Sequence, residues 1–209
     1  DGIIDKKNNL SGTDPGVMTI DQAKNEHFKE IGLTGDLLKL IGRACAPTSF
    51  MFFGLGGSGK SGLALKFADF LNKKGLPVLY VAREQFGTPT FVRLLKQTNV
   101  TGSDSFKIVR DLTTLPFSEF EVIVIDSKDA AELNNSADFA NMQDSHPGKI
   151  WILTSMANKD GSYTGDGKWR NKIDTFIHCE RGVASTIGQK NRWGGSAEVK
   201  LFGSPGETK

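Results

Sequence analysis

The chain has 209 residues, enough for one full domain and little more, and its 26 Lys plus Arg against 24 Asp plus Glu leave a formal net charge of +2. That balance excludes a polybasic nucleic-acid wrapper and an acidic tail, and Cys45 and Cys179, without CxxC or ligand-spaced His partners, exclude a zinc knuckle and a disulfide-dense scaffold. No uncharged run approaches the ~20 residues of a membrane span and no signal-peptide pattern opens the chain, so a cytoplasmic protein without a membrane partner is expected.

Residues 1–18 are polar and Gly-rich, with no helical or strand period, and read as a tail or linker. A polar helix is expected from Ile20, then a shorter one after Thr34, an N-cap residue type, carrying Leu37, Leu38, Leu40 and Ile41 before Gly42. Phe50 to Phe53 is a short apolar run followed at once by GLGGSGKS. From Lys60 onward Leu63, Phe67, Phe70 and Leu71 repeat at helical spacing until Gly75. This predicts strand, glycine loop and helix.

The alternation continues. Val78 to Val81 predicts a strand, and Thr88 and Pro89 predict the cap and first turn of a helix through about Gln97. Phe106 to Val109 and Val122 to Ile125 predict further strands, the second ending in Asp126. A polar helix through Asp129 to Met142 and a strand at Ile150 to Thr154 follow. Strands apolar throughout that alternate with helices imply a mostly parallel sheet covered on both faces. After Gly161, Ile173 to Cys179, Ala184 to Gln189 and Glu198 to Phe202 read as strands joined by glycine turns, an antiparallel C-terminal extension.

The run Gly54, Leu55, Gly56, Gly57, Ser58, Gly59, Lys60, Ser61 matches G-x-x-x-x-G-K-[ST] in full. Glycines there let successive backbone N–H groups turn inward around phosphates. The helix that follows, opening through Gly62, presents its positive N-terminus, Lys60 adds a point charge, and Ser61 offers a hydroxyl to Mg²⁺. A chance Gly-rich turn is the plain alternative, but the preceding strand and following amphipathic helix are the context the motif needs. A nucleotide with Mg²⁺ is therefore the expected ligand. Asp126, directly after a buried strand, fits the second acid such a site uses on Mg²⁺; otherwise it is an ordinary strand-end turn Asp. Ser127 and Lys128 follow it, so a water-activating Glu is not adjacent. Glu84, three residues beyond Val81, falls on the same carboxyl-end rim and is the candidate base, or else a solvated loop acid.

A phosphate loop after the first strand, a glutamate after the second and Asp-Ser after a later one is the arrangement of RecA-like P-loop ATPases, and the sequence resembles the RadA/Sms recombination family within them. VLYVAREQ (78–85) is similar to VLYVSGEES of that family, IVIDS (123–127) to its Walker B and NKDG (158–161) to its TKDG. KIDTFIHCERG (172–182) is similar to HMVDTVLYFEG, and QKNRWGGSAEVKLF (189–202) to VKNRFGATNEIGVF. The resemblance implies an α/β RecA-like fold, with residues 1–30 a tail or linker, 31–204 one ATPase domain and 205–209 a C-terminal tail. It implies that Lys60 and Ser61 bind ATP–Mg²⁺, that Asp126 is the Walker B acid and Glu84 the catalytic glutamate. It further implies that Lys190 and Arg192 act across a subunit boundary on a neighbour's nucleotide, in a ring-forming homo-oligomer that works on single-stranded DNA. On the residues alone, the favoured reading of Lys190 and Arg192 is as solvated hairpin residues above a packed Trp193. The zinc-finger cysteines and protease-like C-terminal domain of the family are not represented, so the resemblance is to an ATPase core. Where related proteins carry a hydrogen-bonding sensor, this chain has Ser155 and Met156; a thioether cannot donate to a γ-phosphate, which leaves Ser155 or Asn158.

Residues 1–148 carry a net charge of −2 and residues 149–209 a net +4. The excess gathers near GSYTGDGKWRN (161–171), where Lys168 and Arg170 flank Trp169. Cations beside an aromatic ring suit single-stranded DNA, and a Trp docked onto the core is the competing reading. His27, His146 and His178 have no ligand-spaced partners, so no metal site is assigned to them. The reading is a DNA-stimulated ATPase in recombination, repair or replication; a replicative-helicase-like motor and a non-catalytic ATP-binding assembly module are the alternatives.

Overall fold

The computed structural model describes residues 17–200 apart from Leu115, Asn134 and Asp166. Most of the expected tail, the Leu201 and Phe202 end of the last strand, and the boundary at 204 lie outside the described residues. The chain forms an eight-stranded sheet of order β3-β2-β4-β5-β1-β6-β7-β8. Its strands are β1 (Thr48–Gly54), β2 (Val78–Val81), β3 (Phe106–Val109), β4 (Val122–Ile125), β5 (Ile150–Met156), β6 (Thr175–Glu180), β7 (Val183–Ser185) and β8 (Glu198–Lys200). Its helices are α1 (Ile20–Lys24), α2 (Gly35–Ile41), α3 (Lys60–Lys73), α4 (Pro89–Thr98), α5 (Ser136–Ser145) and α6 (Trp169–Lys172). None of them is long and apolar enough to cross a membrane.

Strand alternation divides the core in two. Side chains of one parity, Phe50 and Phe52 with Val78, Tyr80, Val122, Val124, Ile150 and Ile152, pack with α2, α3 and α4. The opposite parity, Met51 and Phe53 with Leu79, Val81, Ile123, Ile125, Trp151 and Leu153, packs against Phe139 of α5 and Trp169 of α6. Both faces of the central strands are dry, which is why these segments are apolar throughout rather than alternating.

Several expected boundaries move for identifiable reasons. The helix expected from Asp129 starts at Ser136, because Asn135 caps it by accepting from Asp138 N at 2.8 Å, while residues 127–133 form turns closed by Ala131 N to Ser127 O and Leu133 N to Lys128 O. Thr34 occupies the N-cap of α2 without a side-chain cap bond, whereas Thr88 caps α4 as expected, accepting from Phe91 N at 3.2 Å. The segment at 173–179 is not antiparallel. α6 returns the chain to the amino end of the sheet, Asp174 N bonds Ser49 O, and β6 then runs parallel to β1, which leaves β7 and β8 as the antiparallel part. The body begins slightly before residue 31, since Glu30 bridges Cys45 and Ala46 N bonds Lys29 O.

Candidate functional site

The carboxyl ends of β1, β2, β4 and β5 share one rim, and the glycine loop crosses it between β1 and α3. Three of its glycines, Gly54, Gly57 (φ +73°) and Gly59, are forced by space or by backbone. A Cβ on Gly54 would lie 2.1 Å from the carbonyl oxygen of Cys179, and Gly59, the N-cap of α3, has φ +101°. Within this loop the ammonium of Lys60 donates to the carbonyls of Gly54 (2.9 Å) and Leu55 (2.8 Å). Burial lowers the Lys60 pKa, and the nearby Cys179, Asp126 and Asp129 oppose that shift. The Ser58 hydroxyl is buried within the loop with no hydrogen-bond partner. A buried, unsatisfied hydroxyl in a loop that lines two clefts fits an anionic ligand that would accept from it.

Asp126 is buried at the end of β4, and both oxygens of its carboxylate accept hydrogen bonds. Oδ1 accepts from Thr154 Oγ1 at 2.6 Å and from Ser61 Oγ at 3.1 Å, and Oδ2 accepts from Tyr80 OH at 2.7 Å. The structure thus joins the predicted loop serine to the predicted strand-end acid, and these oxygens suit a hard divalent cation. Burial, with Asp126 beside it, raises the Tyr80 pKa well above its ordinary value, so the phenol stays a donor.

Two clefts flank the loop. One of about 300 Å³ lies along Gly57 to Gly62 and is closed by Gln85, Leu94 and Gln97. The other, about 620 Å³, lies between Gly56, Ser58, Asp160, His178 and Arg181. Glu84 lies on the expected rim, exposed, in the turn after β2; it is Gln85, one residue on, that lines the smaller cleft.

Asp129 is a second carboxylate at this rim that spacing did not single out. Its Oδ1 pairs with Lys128 Nζ at 2.6 Å, and its Oδ2 accepts from Met156 N at 3.2 Å and Ser155 Oγ at 3.4 Å. Of the alternatives to a sensor side chain, Ser155 is buried against Asp129, and Asn158 is occupied by its own turn, with Nδ2 to Ser162 Oγ at 2.9 Å and Oδ1 accepting from Thr164 Oγ1 at 2.9 Å. Met156 is 45% exposed, with its Cε beside Gly56.

Lys190 and Arg192 lie beside the amino end of β6, where Phe176 N bonds Lys190 O and Arg192 pairs with Asp174 at 3.0 Å. That is the opposite end of the strands from Gly54. Lys190 Nζ is held by the carbonyls of Arg170 and Ile173, and burial followed by the neighbouring Arg192 lowers its pKa. Asn191 fixes the segment, donating to Ile41 O (2.9 Å) and Gly195 O (2.7 Å), while Trp193 Nε1 bonds Thr48 Oγ1 at 2.9 Å. Lys168 and Arg170 are exposed, but Trp169 is 1% exposed and stacks on Phe139 at 5.6 Å. The core-docked reading of Trp169 is the one the structure takes, which corrects its assignment as a platform for bases.

No protein-family model matches the chain, and no curated protein matches it. Among solved structures it is similar to the flagellar accessory protein FlaH from Methanocaldococcus jannaschii, with a TM-score of 0.57 and 18% identity over 83% of this chain and 99% of that chain. At that identity the likeness shows the fold alone, an α/β arrangement with a mostly parallel central sheet, with which the expected RecA-like fold is consistent.

Proposed function

We propose that this RecA-like domain binds and hydrolyses ATP with Mg²⁺, most like the RadA/Sms ATPase core, and acts as a homo-oligomer on single-stranded DNA in recombination, repair or replication. The observation that carries the nucleotide reading is the junction of loop and strand: Lys60 inside a glycine ring, an unsatisfied Ser58 hydroxyl, and Ser61 hydrogen-bonded to Asp126. When bound, ATP–Mg²⁺ supplies the phosphoanhydride and a divalent charge that screens it. Main-chain N–H groups of the loop and first turn of α3 would donate to its phosphate oxygens, and Lys60, which in this structure donates to Gly54 and Leu55 carbonyls, would add its charge beside them. Ser61 and Asp126 would hold the cation, and Glu84 would serve as the base for an attacking water.

Lys190 and Arg192 sit at the far end of the strands from their own glycine loop, so any nucleotide they serve belongs to another copy. This supports supply in trans, which makes turnover depend on assembly. DNA contact falls to Lys168 and Arg170 with the basic C-terminal third, acting on phosphates without Trp169 as a stacking surface. The test is ATP turnover with and without single-stranded DNA, paired with light-scattering mass. Stimulated turnover by a multimer supports the proposal, and DNA-independent turnover by a monomer overturns it.

A second reading, an ATP-dependent assembly module with little turnover, is favoured by Gln85 rather than Glu84 lining the loop cleft and by Met156 at the sensor position. ATP-dependent mass increase without hydrolysis would select it.

A further inference from the structure

We infer that Tyr80 and Thr154 form a hydroxyl clamp that orients the Asp126 carboxylate toward a divalent cation, making Tyr80 a positioning residue for Mg²⁺ capture; this rests on the nucleotide-site reading above. The clamp follows from strand parity. Tyr80 alternates with Val78 on β2, Asp126 continues the parity of Val122 and Val124 on β4, and Thr154 continues that of Ile150 and Ile152 on β5. β2 and β5 are the two hydrogen-bonded neighbours of β4, in register at Val81 to Ile125 and Ile125 to Leu153. All three side chains therefore project to the face covered by α3, whose first turn carries Ser61.

The bonds are asymmetric in a way that suits a cation. Tyr80 holds Oδ2 from one side, Thr154 and Ser61 hold Oδ1 from the other, and all three partners are neutral O–H donors. Such donors satisfy a buried carboxylate without cancelling its charge, whereas an ammonium or guanidinium would occupy the place of the metal. The nearby cation, Lys60, spends its hydrogen bonds on the Gly54 and Leu55 carbonyls instead. Tyr80 is fully buried against Phe91 and Phe106, so its ring is locked and the hydroxyl direction is fixed. Partners that orient a metal ligand in this way typically change metal affinity by about 10–100-fold when removed.

The experiment titrates MgCl₂ into wild type and Tyr80→Phe with a fluorescent N-methylanthraniloyl ATP, reading nucleotide affinity in EDTA separately. The expected result is a roughly 10-fold or greater rise in the Mg²⁺ half-saturation with EDTA affinity unchanged, a split that a purely structural loss would not produce. Thr154→Val should act in the same direction and Thr154→Ser should restore the wild-type value; this pair also carries the test if Tyr80→Phe does not fold. A half-saturation within twofold of wild type in the variants overturns the clamp while leaving nucleotide binding intact. A wild type that binds no nucleotide at all overturns the site reading itself, and the clamp with it.

Discussion

The Lys128 ammonium lies 5.2 Å from the centroid of the Trp169 ring, so the turn after β4 and α6 are joined through a buried cation–π contact. Trp169 also stacks on Phe139, and the same ammonium pairs with Asp129. Trp169 is thus a keystone between α5, α6 and the rim. Trp169→Ala should cost about 3–5 kcal/mol through lost burial and the cavity it leaves, lowering Tm by roughly 10 °C in thermal unfolding. Lys168→Ala with Arg170→Ala should leave Tm nearly unchanged, weaken single-stranded DNA binding and reduce the magnitude of its salt slope by about 1–2. Retained affinity and slope in that double variant would remove these residues from DNA binding.

Glycine positions in one loop should respond in opposite ways. Gly54→Ala places a methyl 2.1 Å from Cys179 O and 2.7 Å from Ser58 Oγ, and the carbonyl belongs to β6, which cannot retreat without breaking its pairing with β1. Overpacking of this kind costs about 1–3 kcal/mol or more and should distort the loop, giving a lower Tm and lost nucleotide binding. At Gly56 the nearest contact is Met156 Cε at 3.9 Å, so Gly56→Ala should keep the wild-type Tm. Equal behaviour of the two variants in a thermal scan would contradict this geometry.

Much of this architecture was legible because apolar runs and glycine punctuation are local signals. Val78–Val81, Phe106–Val109 and Val122–Ile125 coincide with the runs that predict them, and the motif's Ser61 and Asp126 do meet across 65 positions of sequence. What stayed hidden depends on which strands become neighbours. Thr154 and Tyr80 could be matched to Asp126 only once β5 and β2 flank β4, although a Tyr inside a buried apolar strand already signals that its hydroxyl needs a partner. The direction of β6 likewise hinges on α6, a four-residue helix too short to show a period. Asp129 was absorbed into a predicted helix because the residues around it are polar either way, and the cap at Asn135 decided the boundary.

The two cysteines should differ sharply in reactivity. Burial pushes the Cys179 thiol up to about 12, with only partial opposition from Lys60, whereas Cys45 is half-buried. The thiolate is the reactive form, so Cys179 remains protonated and inaccessible at pH 8. Ellman's reagent should therefore titrate one thiol in the native protein and two after denaturation. Two fast native thiols would show that β6 opens beneath the glycine loop.

Two carboxylates of the rim separate chemistry from bracing. Glu84 is exposed and stands clear of the hydrogen bonds around Asp126, so Glu84→Gln should leave folding and ATP binding intact while lowering turnover at least about 100-fold, the range expected for losing a general base. Asp129 instead spends both oxygens on Lys128 and the end of β5. Asp129→Asn should cost about 2 kcal/mol, less than a fully buried pair because its side chain is 41% exposed, with turnover per folded molecule kept within a few-fold of wild type. Turnover and thermal melts measured on the same preparations discriminate the roles. If Glu84→Gln hydrolyses ATP normally and Asp129→Asn does not, the base at this rim is Asp129.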